Sequence, residues 1–178
     1  SIRRQRQMCI RDRFKGVNDG SNFAPKQTIT RAEVAAIIYR IVTGDVADRQ
    51  DGIYADYAKF KDVAANHWAA GYIGYCSNAE LILGDGTNFY PDQTVTGYQA
   101  LAMILRAVGY DKNNEFQGNG WEIRTASTAQ GLGILKNINQ GTLGTAATRE
   151  MVAEVLFQAI LVPTVTYTPA LGYSQYVS

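Results

Sequence analysis

One segment of the chain recurs at a fixed offset, and this repetition constrains the fold more than any bulk property. Residues 17–42, VNDGSNFAPKQTITRAEVAAIIYRIV, meet LGDGTNFYPDQTVTGYQALAMILRAV when shifted by 66 positions. Asp19, Gly20, Asn22, Phe23, Pro25, Thr28, Thr30 and Arg40 fall on Asp85, Gly86, Asn88, Phe89, Pro91, Thr94, Thr96 and Arg106. A turn, an aromatic, a proline and a helix cap keep their mutual spacing, so the two segments are copies of one supersecondary unit.

The most complete copy runs from Phe60 to Tyr110. Phe60-Lys61-Asp62-Val63 is extended. A first helix is predicted from about Asn66 to Leu81, with Trp68, Ala69, Tyr72, Ile73 and Cys76 on one stripe. Gly84-Asp85-Gly86-Thr87-Asn88 is a turn, and Pro91 holds Tyr90 out of helix. Thr96 opens a second helix, with Gln99 completing a T-x-x-Q capping box. In the first copy Thr30-Arg31-Ala32-Glu33 reads as the better cap, followed by a stripe of Val34, Ile37, Ile38, Ile41 and Val42. The second copy presents Ala100, Met103, Ile104, Ala107 and Val108 at these positions. A third copy is fainter: Thr148-Arg149-Glu150 opens a helix bearing Val152, Val155, Leu156, Ala159 and Ile160. Ahead of it Trp121 stands where Trp68 stands, and the Phe-x-Pro element is lost around residues 137–144.

Helices this short are marginal alone, and one such unit encloses no core. The expected architecture is therefore all-α: three tandem helical hairpins packed through their stripes around a central helix bundle. The boundaries are residues 14–44 for the first repeat (C-terminal half only), 60–110 for the second and 115–162 for the third. Residues 45–59 and 111–120 read as linkers. Residues 163–178, with two prolines and an alternating Val165-Thr166-Tyr167-Thr168, read as an exit linker toward a downstream region. A first repeat without its leading helix should expose apolar surface.

The formal net charge is +1, but residues 1–13, SIRRQRQMCIRDR, hold five Arg against one Asp. That string resembles translated adapter read-through; it is read as non-native sequence or a disordered tail and set aside. Without it no basic surface for nucleic acid remains. No apolar run approaches the ~18 residues of a membrane helix. Of the two cysteines only Cys76 lies in the repeats, on an apolar stripe, so no disulfide framework or thiolate metal site is expected.

The pattern F-x-D-V, H-W-A, G-x-G, F-x-P and T-R-A-E resembles the S-layer homology domain. Phe60, Asp62-Val63, His67-Trp68-Ala69, Ile73, Gly84, Gly86, Phe89 and Pro91 carry it in the middle copy. Gly20, Phe23, Pro25 and Thr30–Glu33 carry it in the first, and Trp121 with Thr148–Glu150 in the third. The resemblance implies a pseudo-threefold, three-pronged spindle of repeats within one chain. It implies a secreted protein held non-covalently at the cell surface, in the cell wall or S-layer of a Gram-positive-type envelope. The partner would be an acidic secondary cell-wall polysaccharide, of the pyruvate-ketal type, bound in grooves between repeats, with S-layer neighbours possible. The sequence also departs from the pattern. Thr-Arg-Ala-Glu has become Thr96-Gly97-Tyr98-Gln99, and the first copy lacks its Asp and Trp equivalents, so only some grooves should be competent.

The candidate ligand residues are Arg31, Arg149, Asp62, Trp68, Trp121, Gly84 and Gly86. Arg31 and Arg149 follow a helix cap, where a guanidinium can grip a carboxylate bidentately while free helix N–H groups add anion affinity. The alternative is a solvated or Asp-paired arginine. Asp62 bonds a ligand hydroxyl or a neighbouring arginine, or else caps the following helix. Trp68 and Trp121 floor a sugar site or belong to the core. Gly84 and Gly86 permit positive φ or close ligand approach. Asp85–Asn88 does not meet the calcium-loop pattern, because Thr96 stands where the twelfth-position Glu is needed. His67 is the lone histidine and more plausible as a helix-start contact than as a catalyst. No nucleophile motif, phosphate loop or dinucleotide fingerprint occurs, so neither enzyme nor cofactor is expected. Cell-wall anchoring is the favoured reading. The alternatives are a structural S-layer or protein-interaction module, or the anchoring fragment of a glycan-degrading enzyme.

Overall fold

The computed structural model describes residues 23–45, 47–48, 51–57 and 59–175. The basic segment 1–13 and the start of the first repeat lie outside them. Among the described residues there are five α-helices: α1 (Arg31–Thr43), α2 (Ala70–Asn78), α3 (Gly97–Ala107), α4 (Trp121–Gly131) and α5 (Arg149–Ala159). Asp51–Tyr57 and Gln140–Thr142 are 3₁₀ turns. Strands β1 (Val165–Thr168) and β2 (Gly172–Gln175) pair antiparallel.

Threonine begins α1, α3 and α5. Thr30, Thr96 and Thr148 each accept the backbone N–H of the third helical residue, Glu33, Gln99 and Met151. Only α3 has a complete capping box, because Gln99 bonds back to the Thr96 N–H. The predicted ranking of caps is thus reversed: the Glu33 carboxylate goes to Arg149. The apolar stripes are buried as their periodicity requires, with Val34, Ile38, Leu101, Ile104, Val152 and Leu156 among the core residues. Of the first repeat's described residues, Phe23 and Val42 are 38% and 41% exposed.

The three helix starts are joined through the segments that precede them. Ile29 N–H donates to Ala147 O (3.1 Å), Ala147 N–H to Val95 O (2.8 Å), and Val95 N–H to Ile29 O (3.1 Å), a closed cycle of hydrogen bonds. All three residues are fully buried. Thr28 pairs with Thr148, Thr30 with Thr94, and Thr96 with Ala146 around the same ring. The ring continues into the helices. The first two N–H groups of α1 donate to Gln93 O and Pro91 O, those of α3 to Thr145 O and Leu143 O, and those of α5 to Gln27 O and Pro25 O. With the threonine caps, the first three amides of α1, α3 and α5 are satisfied by protein. The expectation of free N–H groups for anion binding is therefore corrected.

Three further expectations change. The helix after Asp62 begins at Ala70 rather than near Asn66. Tight turns replace its first part: His67 N–H donates to Ala64 O, Ala70 N–H to His67 O, and Ala69 N–H to His67 Nδ1. The linker 45–59 contains a structured turn, with Tyr54 packed edge-on against Tyr39 and Tyr75. Residues 163–175, read as an exit strand or linker, contain the β1–β2 hairpin, which packs back on the chain. Val165 N–H donates to Val108 O, and the Tyr173 hydroxyl donates to Glu115 Oε1 (2.6 Å) while accepting Lys112 N–H (2.8 Å).

Candidate functional site: a cationic cleft

A cleft of about 260 Å³ opens between α1, α3 and the start of α4, lined by Arg31, Gly84, Gln99, Arg106, Gln117 and Trp121 among others. Three of the residues singled out from sequence thus meet in one place: Arg31, Gly84 and Trp121.

Arg31 leaves the first turn of α1 and crosses to the second repeat. Its Nε donates to Phe89 O (2.7 Å) and Nη2 to Leu83 O (2.8 Å), with the guanidinium carbon 4.6 Å from the Phe89 ring centroid. Backbone carbonyls and an aromatic face orient the group without cancelling its charge. Nη1 makes no hydrogen bond, and no carboxylate lies within ion-pair distance among the described residues. Burial holds the pKa below the ordinary arginine value, and the like charge of Arg106 acts in the same direction. The Asp62 carboxylate acts in the opposite direction, and the charge of a bound anion would offset both lowering effects.

Arg106 is 8% exposed. Its Nε donates to Asp111 Oδ2 at 2.6 Å, and neither Nη makes a hydrogen bond among the described residues. The other Asp111 oxygen is occupied by the Phe116 N–H. A buried guanidinium with two unused donor groups in a cleft wall is costly unless solvent or ligand meets them. Trp121 is half-buried, edge-on to Tyr98, and begins α4 after Gly120, whose φ is +75°. Gln99, on the same face of α3 as Arg106, adds a neutral amide.

Asp62 is neither a cap of α2 nor in the cleft. Its two oxygens accept the N–H groups of Phe89 (2.9 Å) and Tyr90 (2.7 Å). It thereby holds a turn in which Tyr90 has φ +59°, strained for a side chain of that size, and it fixes the carbonyl to which Arg31 donates. Gly84 does not have positive φ; a Cβ there would stand 2.3 Å from Asn88 O. Gly86 does, at +94°. Between them the Asp85 carboxylate takes the Thr87 and Asn88 amides and the Tyr90 hydroxyl, which lowers its pKa to about 2. No group of three or more possible metal ligands occurs among the described residues.

Trp68 and Arg149 lie elsewhere. Trp68 is 55% exposed, stacked with His67 and edge-on to Tyr72, which excludes the core alternative. Arg149 repeats the posture of Arg31, with Nε on Phe23 O (2.9 Å) and the guanidinium over the Phe23 ring, but its Nη1 is paired with Glu33 Oε2 at 3.0 Å. The third helix start, α3, carries Gly97, and the Leu143 backbone fills the space at its α-carbon.

Sequence reasoning missed Arg106 and Gln99 as site residues. In the sequence Arg106 stands out only as an identity with Arg40 across the 66-residue shift, and Gln99 only as a cap. The available signal was a charge kept beside the apolar stripe in both copies, where burial demands a specific partner.

The fold and cleft define a helical-repeat module built around a cationic groove. The chain carries S-layer homology domain sequence: residues 14–35 and 59–101 match the model of that family. It is 31% identical over 153 residues to "Cell surface protein" of Thermoanaerobacter kivui, covering 85% of this chain and 19% of that protein. It is 31% identical over 138 residues to "Middle cell wall protein" of Brevibacillus brevis, covering 76% of this chain and 12% of that protein. It is 40% identical over 79 residues to "Cellulosome-anchoring protein" of Acetivibrio thermocellus, covering 43% and 17%. The chain therefore spans less than a fifth of the length of these relatives, and its domain type places it at the cell surface. No helix among the described residues is long and apolar enough to cross a membrane.

Proposed function

We propose that this chain anchors a longer secreted protein to the bacterial cell wall by gripping an acidic secondary cell-wall polysaccharide in the Arg31–Arg106–Trp121 cleft. The observation that carries the reading is the pair of guanidiniums presenting unused Nη donors beside an indole, with no carboxylate among the residues that line the cleft. A pyruvate ketal offers a carboxylate on a rigid pyranose. Arg31 and Arg106 would take the carboxylate, Trp121 the C–H face of the sugar, and Gln99 and Gln117 the hydroxyls. The mechanism is recognition without turnover. The three helix starts and their cyclic pairing support a pseudo-threefold, spindle-like arrangement of repeats. The relatives named for surface and anchoring roles support the setting.

The test is co-sedimentation of the chain with purified wall polysaccharide, before and after chemical removal of its ketals. Binding should be lost on depyruvylation and fall at least tenfold in Arg31→Ala, about 1.4 kcal/mol or more. Retention of full binding by Arg31→Ala would overturn the proposal and leave the structural-module reading.

A further inference from the structure

Asn119-Gly120 is the only Asn-Gly pair in the chain. It stands on the rim of the cleft, between Gly118 and Trp121, which both line it. The two residues are exposed. Among the described residues nothing bonds the Asn119 side-chain amide or the Gly120 N–H. Gly120 has φ +75°, and without a side chain its nitrogen is open to approach from the residue before it. Asp85-Gly86 is the contrasting pair: there the carboxylate is held by the Thr87 and Asn88 amides and the Tyr90 hydroxyl.

Arg124 gives the Asn119–Gly120 peptide its character. Its Nε donates to Glu115 O (2.6 Å), Nη2 to Gln117 O (2.6 Å) and Nη1 to Asn119 O (2.9 Å). The last of these oxygens is conjugated with the Gly120 nitrogen. A cationic donor there stabilises the amide anion left when that nitrogen loses its proton, and so raises the supply of a nucleophile. Among the described residues no carboxylate is within ion-pair distance of Arg124, so its charge is not cancelled.

We propose that Asn119–Gly120 is a self-modification site activated by Arg124, whose conversion to aspartate and isoaspartate weakens the cleft for an acidic sugar. The deprotonated Gly120 nitrogen attacks Asn119 Cγ. The N–Cγ bond forms, the Cγ–Nδ2 bond breaks, and Nδ2 leaves as ammonia with a proton from solvent. Water then opens the cyclic imide. Attack on the side-chain carbonyl gives aspartate; attack on the main-chain carbonyl gives isoaspartate, whose backbone runs through Cβ and Cγ. Either product adds a negative charge at the rim. Isoaspartate also lengthens the chain between Gly118 and Trp121, which the Trp121 N–H to Gly118 O bond now spans at 3.3 Å. The effect on binding rests on the glycan reading of the cleft; the modification itself does not.

The experiment is timed incubation of the whole chain in mildly alkaline buffer. Peptide mapping by mass spectrometry follows each residue, and isothermal titration with a methyl pyranoside bearing a 4,6-pyruvate ketal follows the cleft. Circular dichroism melts confirm that each variant is folded. Aspartate and isoaspartate should accumulate at position 119 ahead of Asn113 and Asn114 in the same loop. Arg124→Ala should convert about fivefold more slowly or less, the rate equivalent of one charge-assisted hydrogen bond. An arginine that only staples the loop predicts the reverse, because freeing the peptide speeds cyclisation. Asn119→Gln, whose longer side chain cyclises far more slowly, should stay unmodified and keep its affinity. Converted wild type and Asn119→Asp should bind about threefold more weakly or worse. Conversion at 119 no faster than at Asn113, or conversion in Arg124→Ala as fast as in wild type, overturns the activated site. Full affinity in the converted chain overturns its effect on the cleft. No ketal binding by fresh wild type overturns the glycan reading instead, while the conversion rates still decide the modification.

Discussion

Gly97 is the residue that separates the middle repeat from its neighbours, and the structure gives its replacement a definite cost. A Cβ at position 97 would lie 2.8 Å from Leu143 Cα, 2.9 Å from Leu143 O and 3.0 Å from Leu143 Cδ2. The first two are backbone atoms, and the chain there is pinned at both ends: Gly97 N–H donates to Thr145 O and Tyr98 N–H to Leu143 O. Relief would therefore stretch bonds that close the ring of helix starts. Overpacking against a fixed wall costs about 1–3 kcal/mol. Replacing glycine by alanine returns up to ~1 kcal/mol of helix propensity, less at a helix end. Gly97→Ala should lose about 1–2 kcal/mol, and at ~2–4 °C per kcal/mol for a chain of this size the melting temperature should fall by about 2–8 °C. The control is Gly131→Ala, at the end of α4, where a new Cβ meets no atom within 4 Å and stability should rise slightly. Differential scanning calorimetry of both variants decides the matter. A Gly97→Ala protein melting at or above the wild-type temperature would refute the close approach of Leu143. By the same geometry, Gly97→Arg would not restore a third cleft.

Two further perturbations test other parts of the structure. Asp62→Ala removes the acceptor of two backbone amides and should destabilise the chain by about 2–4 kcal/mol while loosening the Phe89 carbonyl that orients Arg31; urea melts and ligand titration should both respond, and a change in only one would separate the structural role from the functional one. The hydroxyl of Tyr173, whose pKa burial and its bond to Glu115 push up to about 12, should keep the hairpin docked below pH ~10 and release it as pH rises toward ~12; absorbance at 295 nm should show this late tyrosine step in wild type and lose it in Tyr173→Phe.

Much of the architecture is written in local spacing. The threonine caps, the apolar stripes of α1, α3 and α5 and the turn at residues 84–88 follow from residues within a few positions of one another. What was illegible depends on partners from another repeat. Nothing near Arg149 in sequence announces Glu33, 116 residues away, as its counter-ion. Asp62 has the position of a helix cap, yet its amides come 27 and 28 residues later. Trp68 falls on a helical stripe, but the turns at residues 64–70 delay α2 and leave its indole half in solvent. The cleft itself needs Arg31 from the first repeat, Gly84 and Arg106 from the second and Trp121 from the third, a conjunction that no window of sequence contains.

The ring formed by Ile29, Val95 and Ala147 also has a consequence in time. The Ile29 amide waits for Ala147, 118 residues further along, so during synthesis at ~5–20 residues per second its partner arrives roughly 6–24 s later. Until then the ring is open and the apolar faces of the first two repeats lack the third. A chain stopped anywhere before Ala147 lacks the acceptor of the Ile29 amide and the donor to the Val95 carbonyl, so only one of the ring's three bonds can form. The ring should therefore close only after the last repeat has emerged.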